Sequence, residues 1–248
     1  MRVLPALLLS LTLLAACNRE TPHASACAVR EFEGDRFTAC AFDPKSQELR
    51  LVWRDADGAA YRGFAALSRD VDPARVAFAI NAGMYDAAGA PIGLHVENAQ
   101  QLHAISTTDG PGNFHLKPNG VFWIDGRGMP QVTATDAYLA LKPAPIWATQ
   151  SGPMLLIDGA LHSAFDHDGD SRNIRNGVGV GADGQAWFVI SEQPVSFGKF
   201  ARFFRDTLGA ANALYLDGAV SSLWDPYAKR MDAGIPLGPL VLVCTPAC

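Results

Sequence analysis

Four short polar turns carry most of the side chains that can do chemistry in this sequence. Asn81-Ala82-Gly83-Met84-Tyr85-Asp86 follows the apolar run 76–80, and Lys117-Pro118-Asn119-Gly120 precedes the apolar run 121–124. Ser171-Arg172-Asn173-Ile174-Arg175-Asn176-Gly177 leads into the small-residue run 178–181, and Asp217-Gly218-Ala219-Val220-Ser221-Ser222 follows the run 213–216. Polar groups at the ends of buried strands are held rigidly and still face a cleft. Each turn alone has an ordinary loop composition. Four of them, rich in Asn, Arg, Asp and Ser and all set against apolar runs, predict one shared pocket.

Several other chemistries lack their residues. Gln150-Ser151-Gly152-Pro153 misses the first glycine of a nucleophile elbow, and a proline opens what would be its helix. No His-Glu-x-x-His occurs, and His95, His103 and His115 read as strand-surface residues rather than metal ligands. Phosphate-binding glycine loops of the Walker or Rossmann type are absent. The alternating carboxylates Asp166, Asp168 and Asp170 have the oxygen chemistry for calcium. Their tract lacks the sixth-position Gly and twelfth-position Glu of an EF-hand loop, and a solvated loop is the primary reading. With 20 basic against 25 acidic side chains, no basic surplus exists to neutralise phosphates, which argues against a nucleic-acid or anionic-membrane partner.

The two chain ends have their own logic. Arg2, an apolar run over 3–16 and the exit Leu14-Ala15-Ala16-Cys17 read as a secretory leader over 1–16. That apolar run would span only about 21 Å as a helix, short of a bilayer core. The exit resembles the lipobox of bacterial lipoproteins, which implies a lipid on Cys17 and a membrane association through that anchor alone. Asn18, where an inner-membrane retention signal would place Asp, points to an outer-membrane lipoprotein facing the periplasm, with 17–26 as lipidated cysteine and tether. Cys27, Cys40, Cys244 and Cys248 remain, an even number in an oxidising compartment. They are expected to form structural disulfides, either as the local pairs 27–40 and 244–248 or as bridges joining the two ends.

The mature chain shows no repeat and no linker, so 27–248 reads as a single domain. Short β-type runs fall at 49–54, 76–80, 93–105, 120–124, 154–157, 177–181, 186–190, 213–216 and 240–243. One amphipathic helix is expected over about 196–208. Ser196 can cap it, Phe197, Phe200, Ala201, Phe204 and Leu208 share one face, and Gly209 ends it. A shorter helix fits 135–141, before Pro143-Ala144-Pro145. The fold class is α+β: a strand-rich domain with a mixed sheet and one main helix.

In this order the motifs resemble the phosphodiester glycosidase family. Its Asn-Gly-Gly-Tyr-Phe pattern looks like Asn81-Ala82-Gly83-Met84-Tyr85, and its Arg-led strand entry like Arg175-Asn176-Gly177-Val178-Gly179-Val180. Its Leu-Asp-Gly-Gly-Gly-Ser-Ser signature looks like Leu216-Asp217-Gly218-Ala219-Val220-Ser221-Ser222. The match covers about 75–243. Ala82, Ala219 and Val220 stand where the family has glycine, so methyl groups are expected where its backbone comes close to its ligand, and Val220 would be strained at a positive φ.

The resemblance implies hydrolysis of a sugar-1-phosphodiester, releasing free sugar and a phosphomonoester, with a sugar-phosphate or glycan as substrate. A phosphate leaves without much protonation, so the task is to stabilise its charge, which Arg175 suits. Asp217 is the expected nucleophile or general base, and Asp86 or Glu97 the second carboxylate. Asn81, Asn119 and Asn176 would fix sugar hydroxyls. Gly83, Gly218, Ser221, Ser222 and the backbone N–H groups of the last turn would line the substrate and its phosphate. No cofactor is implied. The glycine replacements support a second reading: a non-catalytic glycan-binding or envelope-assembly lipoprotein that retains the pocket.

Overall fold

The structure, a computed structural model, describes residues 25–248. The expected leader 1–16, the lipidation site Cys17 and all of the tether before Ser25 lie outside the described residues. Among the described residues no helix is long and apolar enough to cross a membrane.

Strands dominate, in three sheets. The first orders Cys27–Phe32, Asp35–Phe42, Ala186–Ser191, Asn176–Gly181, Ala210–Tyr215, Met154–Ile157 and Ala160–Leu161. The second orders Arg230–Met231, Leu223–Asp225, Val76–Asn81, Leu240–Cys244 and Glu48–Val52. The third orders Gln100–His103, His95–Glu97, Trp147–Ser151, Gly120–Ile124 and Pro130–Ala134. The expected mixed sheet is corrected: among the described residues every strand pair is antiparallel. Parallel pairs need long crossovers, commonly helical, and this chain has too few helices to make them. The expected single run 93–105 is a hairpin, because Asn98 and Ala99 both take positive φ, 47° and 62°, and fold it back on itself.

The seven-stranded sheet is the middle layer. One face meets the main helix, which runs as Phe197–Arg202 and continues in π-helical geometry over Phe203–Thr207. Ser196 Oγ accepts from Lys199 N at 3.1 Å, as its expected cap. The helix docks where the sheet has no side chains: any residue at Gly177 or Gly179 would meet the rings of Phe200 and Phe204. The opposite face packs on both other sheets, through Val178, Phe188 and Leu214 against Phe78, Ile80, Leu51 and Phe122. The short helix Thr135–Leu141 forms where expected.

The disulfides are the local pairs. Cys27–Cys40 joins the first two strands where they face each other in register, and Cys244–Cys248 closes the last turn of the chain.

Candidate functional site

Two strands from different sheets end side by side. Val76–Asn81 finishes at Asn81, and Asn176–Gly181 begins at Asn176; both asparagines are buried. Asn176 Nδ2 donates to Asn81 O and Asn81 Oδ1, both at 2.9 Å. Asn81 Nδ2 donates to Asp217 O at 2.8 Å, and Asn81 Oδ1 accepts from Ser222 N at 2.9 Å. Asn81 therefore grips both ends of the turn that carries Asp217. Sugar contacts were expected of these two amides; instead their donors serve this internal network.

That turn is a short 3-10 segment, Gly218–Val220, capped by Asp217 Oδ1 accepting from Ala219 N at 3.3 Å. Its N–H groups are all taken: Gly218 by Leu216 O, Val220 by Asp217 O, Ser221 by Gly218 O. They do not form the open phosphate nest expected of them. The hydroxyls of Ser221 and Ser222 likewise donate to main-chain carbonyls, of Ile174, Gly218 and Val220. Val220 is unstrained, with no positive φ, and its side chain packs into the core beside Phe64, Leu67 and Trp224. The methyls expected to crowd the ligand are thus partly removed from it. Gly218 is needed for close approach, because a side chain there would collide with the Tyr215 phenol.

Arg175 is fully buried without a carboxylate partner. Nε donates to Val195 O at 2.8 Å and Nη2 to Ser171 O at 2.7 Å, while Nη1 has no partner. Its guanidinium lies under the Phe197 ring, 3.5 Å from the centroid, and 5.5 Å from the Tyr215 ring centroid. Burial lowers the Arg175 pKa while Tyr215 favours its charged form. Burial raises the Tyr215 phenol, the Arg175 charge opposes that rise, and the Asp217 charge adds to it. Burial also raises the Asp217 carboxyl above its ordinary range, against the hydrogen bond from Ala219 N. Tyr85 feels Asp217 as well, its pKa raised first by burial and then by that charge. The arrangement is a buried cation, a desolvated carboxylate and two phenols, at the junction of two sheets.

The remaining expected residues lie in other settings. Asp86 Oδ1 accepts from Ala88 N and Ala90 N, closing its own exposed turn. Glu97 Oε1 is 2.7 Å from Nε2 of the buried His95, which is no surface residue. Asn119 Nδ2 donates to Phe114 O at 3.0 Å, bracing a loop on the third sheet. Gly83 is packed against Thr149 and Gln150, where a side chain would collide. Asp168 meets His167 Nδ1 and Arg202 Nη2, and among the described residues no group of three acidic, His or Cys side chains is gathered for a metal. Sequence reasoning missed Tyr215 and placed Phe197 only in the core. Tyr215 had a visible signal: it is a phenol two residues before Asp217, at the end of the strand that leads into that turn.

A three-sheet antiparallel domain with a buried charged cluster at abutting strand ends is the class that fold and site define. The chain belongs to the phosphodiester glycosidase family, whose pattern matches residues 74–228. It is 35% identical over 187 residues to the uncharacterized protein YigE of Escherichia coli K12, covering 75% of this chain and 73% of that one. Its fold is similar to the catalytic domain of zebrafish N-acetylglucosamine-1-phosphodiester alpha-N-acetylglucosaminidase, auto-inhibited by its pro-peptide. That likeness has a TM-score of 0.59 and 15% identity over 88% of this chain and 81% of that one. A Burkholderia pseudomallei protein described as exported is similar too, with a TM-score of 0.57 and 13% identity over 86% of this chain and 74% of that one.

Proposed function

We propose that this protein is a lipid-anchored envelope hydrolase that cleaves the bond between an anomeric carbon and phosphate in a sugar-1-phosphodiester. The observation that carries this is Arg175, a buried guanidinium with no carboxylate partner and one unpartnered nitrogen, lying against the Tyr215 ring that also feels the desolvated Asp217. A buried charge without a countercharge is costly and favours an anionic ligand. Family membership supports the hydrolase class. The similarity to an exported protein and the leader-like first sixteen residues support a place outside the cytoplasm, with Cys17 as the anchor.

In the reaction, Asp217 takes a proton from water, the water oxygen bonds to the anomeric carbon and the carbon–oxygen bond to phosphate breaks; with Asp217 as the nucleophile, it bonds to the carbon first and water then cleaves the glycosyl ester to free sugar. The phosphomonoester leaves with the bridging oxygen and its electron pair. Asp217 is the carboxylate at the reacting carbon, and its raised pKa makes it a better base than an exposed aspartate. Arg175 stabilises the leaving charge by its field. Its Nη1 is the one guanidinium nitrogen not committed to a partner within the protein. The phenols of Tyr85 and Tyr215, rather than Asp86 or Glu97, are the groups electrostatically tied to Asp217. Asn81 and Asn176 are positioning residues.

The test is a panel of α- and β-linked sugar-1-phosphodiesters, with free sugar and phosphomonoester followed by mass spectrometry. Wild type is expected to release both, and Asp217→Asn and Arg175→Ala to lose at least about a thousandfold in kcat/KM while remaining folded. Wild-type turnover by both variants overturns the assignment of the site. A folded wild type that binds the diesters and releases nothing identifies the protein as a glycan-binding lipoprotein instead.

A further inference from the structure

A hollow of about 320 Å³ opens between the two segments that carry the reactive residues. One wall is Asn173 and Ile174, immediately before Arg175; the floor is the 218–222 turn, immediately after Asp217; the third wall is the loop 233–235. Ser221 Oγ joins two of these walls by donating to Ile174 O at 3.2 Å.

The chemistry of this hollow is unlike that of the strand-end network beside it. Its side chains are largely apolar: Ile174, Ala219, Ala233 and Ile235, with the Asn173 amide at the edge. The donors of its floor are committed, since every N–H from Gly218 to Ser222 and both serine hydroxyls donate within the protein, so the polar surface that the floor presents is made of acceptors. A sugar ring needs convergent donors and acceptors, and this floor has no donor to spare. Meanwhile Ile174 is 43% exposed and Ile235 62% exposed. Two exposed isoleucines facing one hollow beside a reactive centre mark an apolar contact with a ligand.

We infer that this hollow is the subsite for the group on the far side of the phosphate, and that this group is an alkyl or isoprenoid chain. The inference rests on the hydrolase reading for the phosphate's position. Sugar and phosphate occupy the polar strand-end region, and the ester chain leaves past Ala219 to lie between Ile174 and Ile235. Ala219, standing where the family has glycine, adds its methyl to that surface instead of obstructing the sugar.

The test uses methyl, butyl and octyl diesters of N-acetylglucosamine-1-phosphate, with two readouts. Calorimetry measures binding to the full chain whether or not turnover occurs. Octyl is expected to bind at least about tenfold more tightly than methyl, given the few-fold gain that each buried methylene brings. Ile174→Ser with Ile235→Ser should collapse that octyl-to-methyl ratio towards one, and kcat/KM should show the same ratio and the same collapse. Equal binding of the three esters by wild type, or a ratio unchanged in the double variant, overturns the subsite. Chain-length-dependent binding without turnover supports the subsite and overturns the hydrolase reading; turnover without chain-length dependence does the reverse. Octyl diester held in phosphatidylcholine vesicles separates the sources. Turnover retained there assigns the chain to a membrane-held substrate, and turnover only in solution assigns it to a free one.

Discussion

Asp217 is held at a cost to the fold. Burial raises its carboxyl pKa above the ordinary value, so the folded state resists the charged form more than the unfolded chain does. The sign of the linkage follows. As pH rises from below the unfolded pKa, the unfolded chain loses its proton first, and stability falls until the folded pKa is passed. Above that point the penalty is constant. Asp217→Asn removes it, so the variant should be more stable than wild type at pH 7, with a Tm higher by roughly 2–4 °C for each kcal/mol relieved. At low pH the two should converge. Thermal melts at pH 3 and pH 7 check this, and a variant less stable at both would show that Asp217 serves the fold. The same shift places the acid limb of the pH–rate profile above the range of an exposed aspartate. A limb at or below that range would remove Asp217 from the role of base.

Asn81 works between elements. Replacing it with Ala leaves Asp217 O and Ser222 N without their partner and Asn176 Nδ2 with only the main-chain Asn81 O, at an expected cost of about 3 kcal/mol for the set. Urea denaturation measures that cost, and a loss below about 0.5 kcal/mol would mean that water replaces the amide freely. This network was only half legible beforehand. The motif residues Asn81, Asn176 and Asp217 stood out in the sequence, but the order of their hydrogen bonds depends on how two sheets abut, which no local pattern encodes. Strands followed the same rule. Runs of buried apolar residues such as Gly120–Ile124 and Met154–Ile157 were readable to the residue. Trp147–Ser151 was not, because its buried positions include Gln150 and Ser151. Gln150 is satisfied there by Leu94 N, Ser106 N, Ser106 O and Thr135 Oγ1, partners that exist only after folding. Cys27–Phe32 at a sheet edge and Pro130–Ala134, which opens on a proline, were missed for the complementary reason: edge strands carry little apolar signal.

At the scale of the molecule, one aromatic ring makes contacts that tie the three sheets together. Phe188, from the seven-stranded sheet, lies 5.6 Å from Phe78 of the second and 5.3 Å from Phe122 of the third, measured between ring centroids. All three rings are fully buried, in a core that draws residues from every sheet. Since Asn81 ends a strand of one of those sheets and Asn176 begins a strand of another, the site keeps its geometry only while the sheets keep their spacing. Phe188→Ala should therefore cost about 3–5 kcal/mol, the range for emptying an aromatic site in a core. It should also weaken activity although Phe188 touches none of the reactive groups. The form of the unfolding curve is the sharper test. With one shared core, tryptophan fluorescence and far-ultraviolet circular dichroism should lose structure together in both wild type and variant, in a single transition. Trp123 and Trp147 report the third sheet and Trp187 the first, so sheets that came apart would separate these signals. Such a separation in the variant alone would identify Phe188 as the tie between sheets. Separation already in wild type would mean that the polar network at the strand ends, and not the aromatic core, holds the two halves of the site in place.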